Sequence, residues 1–179
     1  MKEIRIHGRG GQGSVLAAEL LARAAFEDGR YGQAFPLFGG ERRGAPVQAF
    51  VRLSDQAIRL RNYIREPDCI IIQDVSLFNL VDLLAGLKQG GTIVANSDGP
   101  PVAEWPAGVT VYTVPAREIA DEVLGRPFLN PAMLGAFAAA TGEIRLESLQ
   151  KAFRTHFPGE LGEKNAQAVQ LGFEKVKKE

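Results

Sequence analysis

Residues 3–13, EIRIHGRGGQG, set a β-like run directly against a cluster of glycines, and a long apolar helical pattern begins at once behind it. That order builds a strand, a tight turn and a helix whose N-terminus faces outward. The free N–H groups and the dipole at such a terminus favour a negatively charged group such as a phosphate. Gly8, Gly10 and Gly13 match the G-x-G-x-x-G spacing of a dinucleotide-binding turn. The same glycines also serve a plainer purpose, a tight turn with close helix–sheet packing. His7 and Arg9 flank the turn, where either can face an anion, and His7 can equally be a satisfied histidine at a strand end.

Alternation along the rest of the chain extends this unit into an α/β architecture. Strands are expected near 3–8, 31–36, 46–53, 68–74, 92–96 and 109–114, and helices near 13–28, 76–88, 116–124, 131–141, 146–156 and 160–176. Cys69, Ile70, Ile71 and Ile72 form a continuous apolar run of the kind buried on both faces of a sheet. Ser76 is a candidate cap for the helix after it, and Asn130 before Pro131 is another. The expected fold is an open, doubly wound, Rossmann-like sheet with helices on both faces and a helical C-terminal part. With no repeat and no long linker, residues 1–179 are expected to form one domain.

Composition narrows the function. The 21 Lys and Arg balance the 21 Asp and Glu, which argues against a nucleic-acid surface as the main business and suits a subunit of a larger body. The first residues are charged and no stretch approaches about 18 apolar residues, so neither a secretory signal nor a membrane span is expected, and the cytoplasm is the default location. One cysteine, Cys69, excludes an internal disulfide and a cysteine-ligated iron–sulfur cluster held by this chain alone. Two distant histidines, His7 and His156, offer no metal site.

A nicotinamide site requires an acidic residue about 20 positions past the turn, at the end of the second strand. Residues 33–36, QAFP, supply none. A triphosphatase loop fails as well, because Ser14 stands where the phosphate-binding lysine is needed. The second unusual segment, FPLFGGERRGAPV at 35–47, carries Arg42 and Arg43, planar forks suited to phosphate or carboxylate, beside Phe35 and Phe38. A solvated loop is the ordinary alternative. Asp74 lies at the carboxyl end of the apolar strand, where open α/β sheets bind ligands, or else caps the next helix. No acid–base pair and no nucleophile arrangement stands out.

The two segments together, HGRGGQG at 7–13 and FPLFGGERRGAPV at 35–47, closely resemble the gamma subunit of 2-oxoacid:ferredoxin oxidoreductases, of which pyruvate:ferredoxin oxidoreductase is the best known. The resemblance continues through the strand ending at Asp74, residues 87–91, Asn130 to Gly135, and Lys164 with Asn165. It implies a complex that decarboxylates a 2-oxo acid on thiamine diphosphate, passes electrons through iron–sulfur clusters to ferredoxin, and transfers the acyl group to coenzyme A. In that family the thiamine and cluster sites belong to other subunits or domains. The gamma-type chain is associated with complex architecture and with coenzyme A. The resemblance therefore places Gly8, Arg9, Gly10, Gly11, Gln12 and Gly13 near coenzyme A phosphate, with Arg42 and Arg43 as charged partners or as interface residues. A freestanding nicotinamide-binding protein and a purely architectural subunit remain the alternatives.

Overall fold

The computed structural model describes residues 1–37, 43–97 and 105–179. Its strands are β1 (Lys2–Arg9), β2 (Tyr31–Pro36), β3 (Pro46–Ser54), β4 (Cys69–Ile72), β5 (Thr92–Asn96), β6 (Thr110–Val114) and β7 (Lys177–Lys178). The helices are α1 (Ser14–Glu27), α2 (Ala116–Leu124), α3 (Asn130–Thr141), α4 (Leu146–His156) and α5 (Glu160–Lys175). All strands join one mixed sheet in the order β2-β3-β1-β4-β5-β6-β7. Strands β1, β4, β5 and β6 run parallel, while β3, β2 and β7 are antiparallel to their neighbours. The α/β class and the helical C-terminal part are as expected.

Strand pleating divides the apolar side chains between two layers. Ile4 and Ile6 of β1, Cys69 and Ile71 of β4 and Val94 of β5 face a core shared by all five α-helices. Ala17, Ala18, Ala24 and Ala25 let α1 lie close to the sheet, and α3 is buried along most of its length. Ile70, Ile72 and Ile93 point the other way, onto Val75, Leu77 and Leu83.

That second layer differs from the helix expected over 76–88. The chain there makes one 3-10 turn, Val75–Asn79, and continues in turns. Its carbonyls have other uses. Arg5, buried on β1, donates to the carbonyls of Leu83 (3.1 Å) and Ala85 (2.6 Å), and Asp82 accepts from the Leu84 amide. A carbonyl committed to a guanidinium is a poor acceptor for a helix turn, so tertiary bonding overrides the apolar period. Ser76 is not the cap. Asp74 is, and it accepts from the Ser76 amide at 3.0 Å. At α3 the N-cap is Leu129, and Asn130 turns its amide elsewhere.

Candidate functional site at the glycine turn

The turn sits at the carboxyl ends of the parallel strands, between β1 and α1. Gly8 ends the buried run of β1 against a polar cluster. A Cβ there would collide with Gln73 Oε1 and come within 2.5 Å of Ser14 Oγ. Gly13 caps α1 at φ 79°, a left-handed conformation that favours glycine, and a side chain on it would press on the Asn130 amide. Gly10 is tied to the turn after the arginine loop, donating to Ala45 O (2.8 Å) and accepting from Gly44 N (3.0 Å).

Beneath the turn lies a buried polar chain. Ser14 Oγ donates to Gln73 Oε1 (2.6 Å), Gln73 Nε2 donates to Asn130 Oδ1 (2.5 Å), and Asn130 Nδ2 donates to the Gly13 carbonyl (3.0 Å). All three side chains are at most 2 % exposed. Every link has a partner, so the chain fixes the start of α1 against β4 and α3 at no desolvation deficit.

Arg9 and Gln12 hold the turn from its other side. Gln12 Oε1 accepts from the Arg9 amide at 2.7 Å. Arg9 Nε donates to Asp74 Oδ2 (2.7 Å), Nη2 to Ser76 Oγ (2.7 Å) and Nη1 to the Gly44 carbonyl (3.0 Å). The guanidinium thus binds β1, the end of β4 and the arginine loop into one unit. Burial alone would raise the Asp74 pKa, but hydrogen bonds from Ser76 and Arg9 outweigh it and hold the carboxyl below its ordinary value.

What stays open is the helix terminus itself. No side chain caps α1, its first turn has no acidic residue, and among the described residues nothing accepts from the amides of Gly11, Gly13, Ser14, Val15 and Leu16. Arg43 lies alongside, its Cγ 3.9 Å from where a Cβ on Gly11 would stand. It is exposed and has no ion pair among the described residues. Arg42 and Phe38 lie outside the described residues.

His7 is not at the anion face. It is 1 % exposed and accepts from Arg5 Nε through Nε2 at 2.9 Å. Burial, then the nearby Arg5 charge, pushes its pKa down to about 3, so the imidazole stays neutral. Phe35 does not face the turn either. It packs with Phe50 and Tyr63 beneath the guanidinium of Arg52.

Sequence reasoning missed Arg5, Gln73 and Arg52, all buried polar residues inside strands or at their ends. Their only signal was position. Arg5 and Arg52 interrupt apolar runs at places where the pleat turns them inward.

Strand order also bears on the nicotinamide alternative. The strand after α1 is not beside β1. It is separated from β1 by β3 and runs on the sheet edge. The place from which an acidic residue reaches a ribose is therefore missing, as is the residue.

A mixed α/β sheet with this glycine turn at the carboxyl ends of its parallel strands defines an α/β domain with an uncapped helix terminus at the strand ends. The chain belongs to the pyruvate ferredoxin/flavodoxin oxidoreductase family, whose pattern matches residues 3–175. It is 51% identical over 179 residues to the pyruvate synthase subunit PorC of Methanothermobacter thermautotrophicus, covering 99% of this chain and 97% of that one. It is 49% identical to the pyruvate/ketoisovalerate oxidoreductases common subunit gamma of Thermococcus litoralis, covering 98% and 97%. The crystal structure of pyruvate oxidoreductase subunit PORC from Thermotoga maritima superposes with TM-score 0.82 at 34% identity, covering 99% of both chains. The chain is thus of the gamma-subunit type of a 2-oxoacid oxidoreductase. A likeness of fold extends to the 2-oxoglutarate:ferredoxin oxidoreductase of Magnetococcus marinus with 2-oxoglutarate, coenzyme A and succinyl-CoA bound, at TM-score 0.81 and 23% identity, over 97% of this chain and 31% of that one.

Proposed function

We propose that the chain works as the gamma subunit of a pyruvate:ferredoxin oxidoreductase complex, in which the N-terminus of α1 receives a phosphate of coenzyme A. The observation that carries this reading is the uncapped first turn of α1, held open by a fully bonded scaffold beneath it. Backbone amides from Gly11, Gly13 and Ser14 hold the anion, and the helix dipole adds to the attraction. Arg43 beside Gly11, with Arg42 next in sequence, supplies positive charge for a second phosphate of the same ligand. Gly10 allows the close backbone approach, while Gly8 makes room for the Gln73 and Ser14 side chains beneath the turn. Arg9 and Gln12 serve by shaping the turn, since the Arg9 guanidinium and the Gln12 side-chain carbonyl are bonded within it.

Coenzyme A supplies the thiol that accepts the acyl group. This chain's own residues bind and orient it and do no proton transfer. Thiamine diphosphate and the iron–sulfur clusters are assigned to partner subunits, and ferredoxin meets the complex through those. One relative is a subunit common to pyruvate and ketoisovalerate enzymes, which supports a gamma chain that does not choose the 2-oxo acid. No helix among the described residues is long and apolar enough to cross a membrane, in keeping with a cytoplasmic complex.

Calorimetry on the whole complex with coenzyme A and with NAD tests the reading. Saturable coenzyme A binding, weakened when Gly10 is replaced by Val in a complex that still assembles, is expected. Tight NAD binding without response to coenzyme A overturns it in favour of a nicotinamide protein. Binding of neither leaves a purely architectural subunit.

A further inference from the structure

Residues 57–65 form no helix or strand, yet they are fastened to the sheet at several points. Arg52, 0 % exposed, donates through Nη2 to the Asn62 carbonyl (2.8 Å) while its Nε pairs with Glu3 (2.9 Å). Gln33 Nε2 donates to the Leu60 carbonyl (2.9 Å), and Ile64 is buried. Tyr63 packs one ring face on Phe35 and Phe50. Committing a fully buried arginine to hold a stretch of irregular chain fixes the outward direction of its other side chains.

Those outward side chains are of one kind. Arg59, Arg61 and Arg65 are exposed, and none has an ion pair among the described residues. Leu60 and Tyr63 between them are each 46% exposed. Of the carboxylates flanking the strip in sequence, Asp55 is exposed but pairs with Arg30, Asp68 pairs with Lys88, and Glu66 is exposed with no ion pair among the described residues. In a chain of zero net charge, three unpaired arginines within seven residues are a local excess rather than a general one.

We infer that the strip 59–65 is a docking surface for a carboxylate-rich face of another protein subunit of the oxidoreductase complex. This rests on the proposed role as a complex subunit. Arginine forks pair bidentately with carboxylates, and arginine alternating with an aromatic and a leucine is the composition of interface anchors. The partner surface must offer acidic side chains around an apolar depression that takes Leu60 and Tyr63. A polyanion such as nucleic acid would satisfy the arginines but leave the two apolar side chains without cover. Among the described residues the strip shares no hydrogen bond or ion pair with the glycine turn, so assembly and coenzyme A binding are separable.

The test is co-purification of the full complex through a tag on this chain, with Arg59→Glu, Arg61→Glu and Arg65→Glu combined, and in parallel all three changed to Gln. Loss of partner subunits by tenfold or more in the Glu variant, a smaller loss in the Gln variant, and unchanged circular dichroism and Tm are expected. Raising salt should weaken assembly of the wild type more than that of the Gln variant. Equal recovery of partners by wild type and both variants overturns the proposal. So does equal loss in a Lys177→Glu, Lys178→Glu control, because the effect is then one of overall charge. Retention of duplex DNA by the strip with assembly unaffected also overturns it, in favour of a nucleic-acid surface. A wild-type chain that recruits no partner subunit defeats the complex role itself, and the strip's occupant with it.

Discussion

In the proposed site Arg9 shapes the turn rather than meeting the ligand. Its guanidinium spans Asp74, Ser76 and the Gly44 carbonyl, which among the described residues leaves the free charge near the turn to Arg43. Replacing Arg42 and Arg43 together by Ala should therefore change stability by no more than about 0.5 kcal/mol. Coenzyme A-dependent turnover of the assembled enzyme should fall by tenfold or more. Thermal melts and steady-state kinetics on the same preparation separate the two effects, and normal kinetics would mark the loop as merely solvated. His7 carries a different prediction. Its pKa is about 3 in the fold and near the ordinary 6.5 in the unfolded chain, so the unfolded state takes up the proton first as pH falls. The stability due to neutral His7 is complete above about pH 6.5 and is lost progressively toward pH 3, a contribution on the order of 5 kcal/mol. Denaturant melts between pH 7 and pH 4.5 should show this slope. His7→Gln, which keeps an acceptor for Arg5, should flatten it; an unchanged slope would show that other groups carry the acid sensitivity.

At the scale of elements, the N-terminus of α1 is held by side chains from β4 and α3 rather than by a cap of its own. Asn130→Ala would leave the buried Gln73 amide without its acceptor and take from the Gly13 carbonyl one of its two bonds, the other coming from the Ala17 amide, a cost of about 1–3 kcal/mol. Gly8→Ala would force a methyl into Gln73 and Ser14, an overpacking cost of about 1–3 kcal/mol. In each variant coenzyme A affinity of the complex should fall further than stability alone explains, because the turn itself is displaced; calorimetry beside a urea melt gives both numbers. Strands β1 to β6, the turn and helices α1 to α5 are legible because their signals are local: glycine spacing, an unbroken apolar run, Pro131 at a helix start; the two-residue β7 has no such signal. The expected helix at 76–88 failed for a non-local reason. Its carbonyls belong to Arg5, about 80 residues earlier in the chain, and no window of sequence contains that bond. Asn130 was singled out as a helix cap and Ser14 only as a missing lysine. Their true partners became visible only once β4 stood between α1 and α3. The edge position of β2 was equally hidden, since a strand's alternation does not say which neighbour it will find.

For the whole molecule, the described ionisable groups are mostly tied down. Asp74 is held by Arg9 and Ser76, Asp28 by Arg145 and Ser148, and Glu3 by Arg52. Glu143 is shared between Arg30 and Lys2. Cys69 is buried in β4, and burial, reinforced by Asp68, pushes its thiol far up, away from reactivity. Among the described residues such an inventory supplies a rigid scaffold with an uncapped helix terminus and no poised acid, base or nucleophile. The purified chain alone should therefore be colourless, contain no stoichiometric iron or sulfide, and give no turnover with pyruvate, coenzyme A and a viologen dye. Adding the partner subunits should restore turnover in proportion to the gamma chain supplied until the complex is saturated, because its contribution is a binding surface that the reaction needs once per assembled site. Metal analysis, a visible spectrum and that titration check the argument together. Iron with sulfide in the isolated chain, or turnover by it, would mean that chemistry resides here; full activity of the partner subunits without it would mean that neither the helix terminus nor the docking strip is needed for catalysis.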